Sequence, residues 1–186
     1  MDISNGENKL TLVNTVVKRI AIIGPESTGK TWLAKKLSNH YNTEMVSEFA
    51  REYFNDKEYK YSPDILVDIA KGQLENEEVA ALSSNGILFC DTDFIVMKIW
   101  SKVVFDFVPD WIENQVKEHV YDLYLLCFPD LEWEPDPLRS NPHNRQYIYD
   151  LFVNELEENN FNYKVVKELG NRRIKNVISF VDELMA

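Results

Sequence analysis

Short apolar runs alternate along the chain with longer stretches in which apolar residues recur every three or four positions. Val17–Ile23, Ile87–Cys90 and Tyr121–Cys127 are almost continuously apolar, as strands buried on both faces should be. Glu44–Ser47 and Tyr163–Val166 are shorter strand candidates. Helical spacing predicts helices over Lys30–His40, Asp110–His119, Asn144–Glu157 and Ile174–Leu184. Two more run from Pro63 to about Ser84, capped by Ser62, and from Asp93 to about Phe105, capped by Thr92. Strands alternating with helices predict an α/β fold: a parallel five-stranded sheet with helices on both faces. Residues 1–14 read as a flexible leader, whose Leu10, Leu12 and Val13 could pack on the sheet edge, and 15–186 as a single domain.

Between the first strand and the first helix lies Gly24-Pro25-Glu26-Ser27-Thr28-Gly29-Lys30-Thr31, which reads G-x-x-x-x-G-K-T. Strand, glycine loop and helix in that order make this a phosphate-binding loop, and the fold a P-loop NTPase fold. Gly24 and Gly29 let the backbone curl so that successive N–H groups point inward as an anion nest. Lys30 is placed to reach the β- and γ-phosphates of ATP, and Thr31 to offer its hydroxyl to Mg²⁺. ATP and Mg²⁺ are therefore the expected cofactors.

Composition narrows the partners. A net charge of −11 argues against a nucleic-acid surface, which needs clustered Lys and Arg. Lys35-Lys36 and Arg172-Arg173 read as solvated helix ends. No apolar run approaches the roughly 20 residues of a membrane span, and the N-terminus lacks a signal-peptide layout. Cys90 and Cys127 sit inside apolar strands and read as buried free thiols, so a reducing, cytoplasmic location is expected. Self-association into a homo-oligomer is left open.

The chemistry should gather at the carboxyl ends of the strands. Asp91 ends an apolar strand and is expected to organise Mg²⁺ with Thr31. Asp93 either faces the acceptor or caps the following helix. Glu48, after the second strand, could orient or deprotonate an acceptor hydroxyl, and Arg51 could hold a phosphate or that base; the alternative for Glu48 is a solvated first-turn glutamate. The stretch from about 129 to 145 contains Pro129, Pro135, Pro137 and Pro142 with no regular period, and reads as a lid. Its Arg139 and Arg145 suit charge supplied to a transferring phosphoryl group; alternatively they pair with Glu132, Glu134 or Asp136 on a surface loop.

G-P-E-S-T-G-K-T at 24–31, S-E-F-A-R-E at 47–52, D-T-D-F at 91–94 and L-C-F-P-D-L-E-W-E-P-D-P-L-R at 126–139, followed by N-P-x-x-R, resemble the kinase domain of NadR-type proteins. The resemblance covers about residues 17 to 184. It implies a P-loop kinase that phosphorylates the ribosyl 5′-hydroxyl of nicotinamide riboside with ATP, giving nicotinamide mononucleotide. It further implies two aromatics around the pyridinium ring, and counting along this chain places Ser47 and Val79 there; Phe49, Tyr53 or Trp133 could substitute. With some 15 residues ahead of the first strand, a stand-alone kinase domain is expected. Two other functions fit a phosphate loop: an NTP-hydrolysing switch, and a regulatory nucleotide-binding module without turnover.

Overall fold

The computed structural model describes residues 16–55, 60–137, 139 and 143–186. The leader at 1–14, with Leu10, Leu12 and Val13, and positions 138 and 140–142 of the lid lie outside the described residues. Strands β1 (Lys18–Ile23), β2 (Met45–Val46), β3 (Ile87–Asp91), β4 (Leu123–Cys127) and β5 (Tyr163–Val166) form one sheet in the order β2-β3-β1-β4-β5. All four pairings are parallel. The helices are α1 (Lys30–Tyr41), α2 (Phe49–Tyr53), α3 (Pro63–Ser83), α4 (Phe94–Phe105), α5 (Asp110–Glu118), α6 (Arg145–Glu158) and α7 (Gly170–Met185).

Alternation along each strand sends neighbouring side chains to opposite faces. Ala21, Ile23, Leu88, Cys90, Tyr124 and Leu126 meet α3, α4, α5 and α6. Ile20, Ile22, Phe89, Leu125 and Cys127 meet α1 and α7 on the other side. Burial on both faces explains why the strands are apolar without a polar alternate. Register then decides what reaches the rim. Ile22 of β1 pairs with Asp91, so the last residue of β3 arrives beside the phosphate loop.

Helix starts follow local chemistry. Ser62 accepts the Ile65 N–H at 3.2 Å, and Pro63 takes the first position of α3, where its missing N–H costs nothing. Asp93, rather than Thr92, caps α4: its Oδ1 accepts the Val96 N–H at 2.9 Å, while Thr92 takes a φ of +90° in the turn. The five-residue α2 is anchored by Phe49, whose ring occupies the space a Cβ on Gly72 would need. Helix α7 begins at Gly170 rather than at Ile174.

Candidate active site

The phosphate loop is shaped by its glycines and held by its own side chains. Gly24 has a φ of +133°, and a Cβ there would lie 2.6 Å from the Cys127 carbonyl oxygen of β4, so no other residue fits. Gly29, at +77°, turns the chain into α1. Thr28 Oγ1 donates to the Pro25 carbonyl at 2.8 Å, and Lys30 Nζ donates to the Gly24 and Pro25 carbonyls at 2.9 and 3.0 Å. The ammonium thus lies over the loop at the positive end of α1, where anionic oxygens are stabilised.

Thr31 Oγ1 donates to Asp91 Oδ2 at 2.6 Å, joining the two residues expected at the metal. Burial pushes the Asp91 carboxyl above its ordinary range, opposed by this hydrogen bond and by Lys30. A hydroxyl and a carboxylate are hard oxygen donors that suit Mg²⁺, an ion usually bound by one or two carboxylates plus substrate phosphates. Among the described residues no group of three or more His, Cys, Asp or Glu could hold a metal by itself, so such an ion would depend on the nucleotide's oxygens.

Glu48 precedes the first residue of α2, and burial raises its carboxyl as well, against Lys30 and Arg51 and with Asp91 adding to the rise. Arg51 spans from this glutamate to the lid: its Nε donates to Glu48 Oε2 at 3.1 Å and its NH1 to Asp136 Oδ2 at 3.1 Å. The lid itself docks on Ser27, which adopts a φ of +57°. Ser27 Oγ donates to the Glu132 carbonyl at 3.1 Å and accepts the Glu134 N–H at 2.9 Å. Arg139 NH1 reaches the Glu134 carbonyl at 2.6 Å and Ser27 Oγ at 3.4 Å, and Arg145 NH1 reaches the Ser27 carbonyl at 3.4 Å. Both arginines converge on the phosphate loop from the insertion.

Two cavities meet here. One, of about 710 Å³, is lined by residues 26–32 of the loop and α1 with Glu48, Arg51, Asp130, Leu131, Arg139 and Leu169. The other, of about 100 Å³, runs inward past Tyr61, Leu66, Ile69, Met97, Trp100 and Phe152 and is mainly apolar. Glu26, Lys30 and Glu48 line both.

Several expected site residues are placed elsewhere. Asp93 is fully buried as the α4 cap, lines neither cavity, and has no partner for Oδ2 among the described residues. Trp133 is half-buried in the lid and lines neither cavity. Val79 is 62% exposed, next in sequence to the Glu78 that pairs with Arg19 at the start of the sheet, so it is not an acceptor-site position. Ser47 is exposed and outside both linings. The rings beside the inner cavity are instead Tyr61, Trp100 and Phe152, the first two with centroids 4.3 Å apart.

Three buried polar residues are absent from any sequence motif. Gln73 and Glu77 are fully buried on α3; Gln73 Oε1 accepts the Phe49 N–H at 2.9 Å, fixing the backbone next to Glu48. Glu77 accepts the Tyr121 hydroxyl at 2.8 Å and faces His119 Nε2 at 3.0 Å. Arg173, expected to be solvated, is 2% exposed and donates to the Thr28 carbonyl at 2.7 Å. The signal was available in the periodicity: Arg173 shares its helix face with Val177 and Val181, and Gln73 and Glu77 share theirs with Leu66, Ile69 and Ala70.

A phosphate loop after the central strand of a β2-β3-β1-β4-β5 parallel sheet is the fold of P-loop NTPases, nucleoside kinases among them. The chain belongs to the family described as AAA domain (AAA_28), whose model matches residues 19–173. It is 30% identical to the trifunctional NAD biosynthesis/regulator proteins NadR of Salmonella typhimurium (strain LT2) and Escherichia coli (strain K12), over 178 and 176 residues. These matches take in 91% of this chain but 43% of each relative, so the chain spans less than half their length. A crystal structure of NadR protein in complex with NR matches with a TM-score of 0.75 at 21% identity, over 90% of this chain and 50% of that one. Deoxyadenosine kinase from M. mycoides matches with a TM-score of 0.62 at 14% identity, over 89% of this chain and 99% of that one. At such identities the structural likeness is one of fold.

Proposed function

We propose that this chain is an ATP-dependent small-molecule kinase acting on a ribosyl 5′-hydroxyl, with nicotinamide riboside as the acceptor that gives nicotinamide mononucleotide. The adjacency of the two cavities carries the reading: a chamber walled by the phosphate loop and a mainly apolar chamber suited to a ring share Lys30 and Glu48 in their walls. A hydrolysing switch needs room for water only, whereas a second, ring-walled chamber suits an organic acceptor. The likeness to NadR proteins supports the same acceptor.

In this reading the loop amides and Lys30 bind the β- and γ-phosphates. Mg²⁺, held by Thr31 and Asp91, would neutralise phosphate charge. Glu48 faces the acceptor hydroxyl and takes its proton as the phosphoryl group transfers; burial raises its pKa, the direction that makes a carboxylate a stronger base. Arg139 and Arg145 close the lid, exclude water and stabilise charge on the transferring oxygens. Tyr61 and Trp100, which line the inner cavity, would supply aromatic surface to a cationic ring. Competition among nicotinamide riboside, uridine, cytidine and adenosine tests the acceptor. A kcat/KM for nicotinamide riboside at least about 10-fold above the others is expected, the low end of what a single methylene can discriminate in a pocket. A preference for adenosine or a pyrimidine nucleoside would move the reading to a nucleoside kinase of different specificity.

A further inference from the structure

Arg173 donates through NH2 to the Thr28 carbonyl at 2.7 Å, and through NH1 to Asp130 Oδ1 at 3.2 Å and the Glu168 carbonyl at 3.4 Å. Its three partners belong to three separate segments: the phosphate loop, the root of the lid just beyond β4, and the turn between β5 and α7. Thr28, Asp130 and Leu169, the neighbour of Glu168, all line the polar chamber. One guanidinium therefore ties three walls of that chamber together from behind.

The loop's geometry explains the need. When amides curl inward to face phosphates, the carbonyls turn outward and need donors of their own. Thr28 is fully buried, so water cannot serve its carbonyl. A neutral donor would suffice for that bond alone. A buried guanidinium costs far more desolvation, and the ion pair with Asp130 offsets only part of it. The rigid planar fork reaches the loop and the lid root at once, which neither an amide nor an ammonium can match.

We propose that Arg173 is a positioning residue that couples the lid root to the phosphate loop, so that the conformation that binds ATP is also the one in which the lid arginines are placed for transfer. The inference rests on the kinase reading and deepens it. Arg173→Met should fold, bind the fluorescent analogue mant-ATP about 10-fold more weakly and lower kcat per folded molecule about 10-fold. Arg173→Lys should recover part of the binding by restoring one bond. Asp130→Asn should lower kcat about 3-fold in the parent background and have no further effect in Arg173→Met, because the coupled pair is already broken.

Binding and turnover are measured well below the melting temperature and normalised to folded protein, so that loss of stability alone leaves them unmoved. Kinetics of Arg173→Met matching the parent, or strictly additive effects of the two substitutions, would overturn the coupling. If Arg173→Met does not fold, Arg173→Lys and Asp130→Asn carry the test, and normal kinetics in both refute it. A parent chain that binds no mant-ATP would sink the kinase reading itself; a parent that binds and turns over while the variants match it overturns this inference alone.

Discussion

Replacing Asp93 with asparagine should shift stability in the variant's favour as pH rises. Asp93 is fully buried, and one oxygen caps α4 while the other has no partner among the described residues. Burial first, then the fields of Glu77 and Glu155, push its pKa from 3.8 up to about 7 against the two backbone hydrogen bonds that favour the anion. Between those values the folded protein holds a proton that the unfolded chain has lost. The parent's stability therefore falls as pH rises from about 4 to about 7 and levels off above, by roughly 4 kcal/mol in all. The amide introduced by Asp93→Asn would not titrate and would keep the capping oxygen. Burying that amide carries a pH-independent cost of about 1–3 kcal/mol, which cancels when two pH values are compared. From pH 5 to pH 8 the variant should gain roughly 1–3 kcal/mol on the parent, or about 3–10 °C in melting temperature for a chain of this size. Urea unfolding of both proteins at the two pH values measures this. Equal differences at pH 5 and pH 8 would refute the buried-carboxylate account. The same variant separates cap from acceptor contact: turnover within about 3-fold of the parent supports the cap, and a large rise in acceptor KM would return Asp93 to the acceptor site.

Lys30→Ala should keep the fold and lose phosphoryl transfer by several orders of magnitude, since β/γ-phosphate charge would go unneutralised; near-normal kinetics would remove this loop from the active site. Asp91→Asn should raise the Mg²⁺ concentration for half-maximal rate while leaving nucleotide binding largely intact, and an unchanged Mg²⁺ titration would shift the metal role to another carboxylate. Arg139→Ala and Arg145→Ala should each lower kcat about 10-fold to 1000-fold with smaller effects on ATP affinity. Normal turnover in both would make the insertion a structural loop.

The strands and most helices are legible in the sequence because burial on both faces and helical periodicity leave strong marks. β3, β4 and β5 lie within two residues of their expected bounds, and β1 starts one residue later than expected. The loop and the Thr31–Asp91 pairing follow from strand order, since a carboxylate ending an apolar strand next to β1 must arrive beside the glycines. Helix α2 enters the sequence reading only through the first-turn alternative for Glu48, because five residues carry too little periodicity to mark a helix. Asp93 is open between two roles because a cap and a ligand use the same residue at the same turn, and only burial separates them. The Val79 placement fails because counting residues ignores the direction of a helix: α3 carries its later turns away from the rim. Tyr61 and Trp100 are brought together by the packing of separate segments, which no spacing reveals. Arg173 and Glu77 are readable in principle, as charged residues on otherwise buried helix faces.

In the proposed function, ATP is consumed in order to phosphorylate an organic acceptor bound in the inner chamber. Its most direct test is steady-state ADP formation by the chain with Mg²⁺ and ATP, with and without nicotinamide riboside, alongside mass analysis of the product. ADP formation that rises at least about 100-fold on adding acceptor, matched mole for mole by the 5′-phosphate, is the predicted result. Equal ADP formation with and without any nucleoside, and no phosphorylated product, would contradict it and leave a hydrolysing P-loop protein instead.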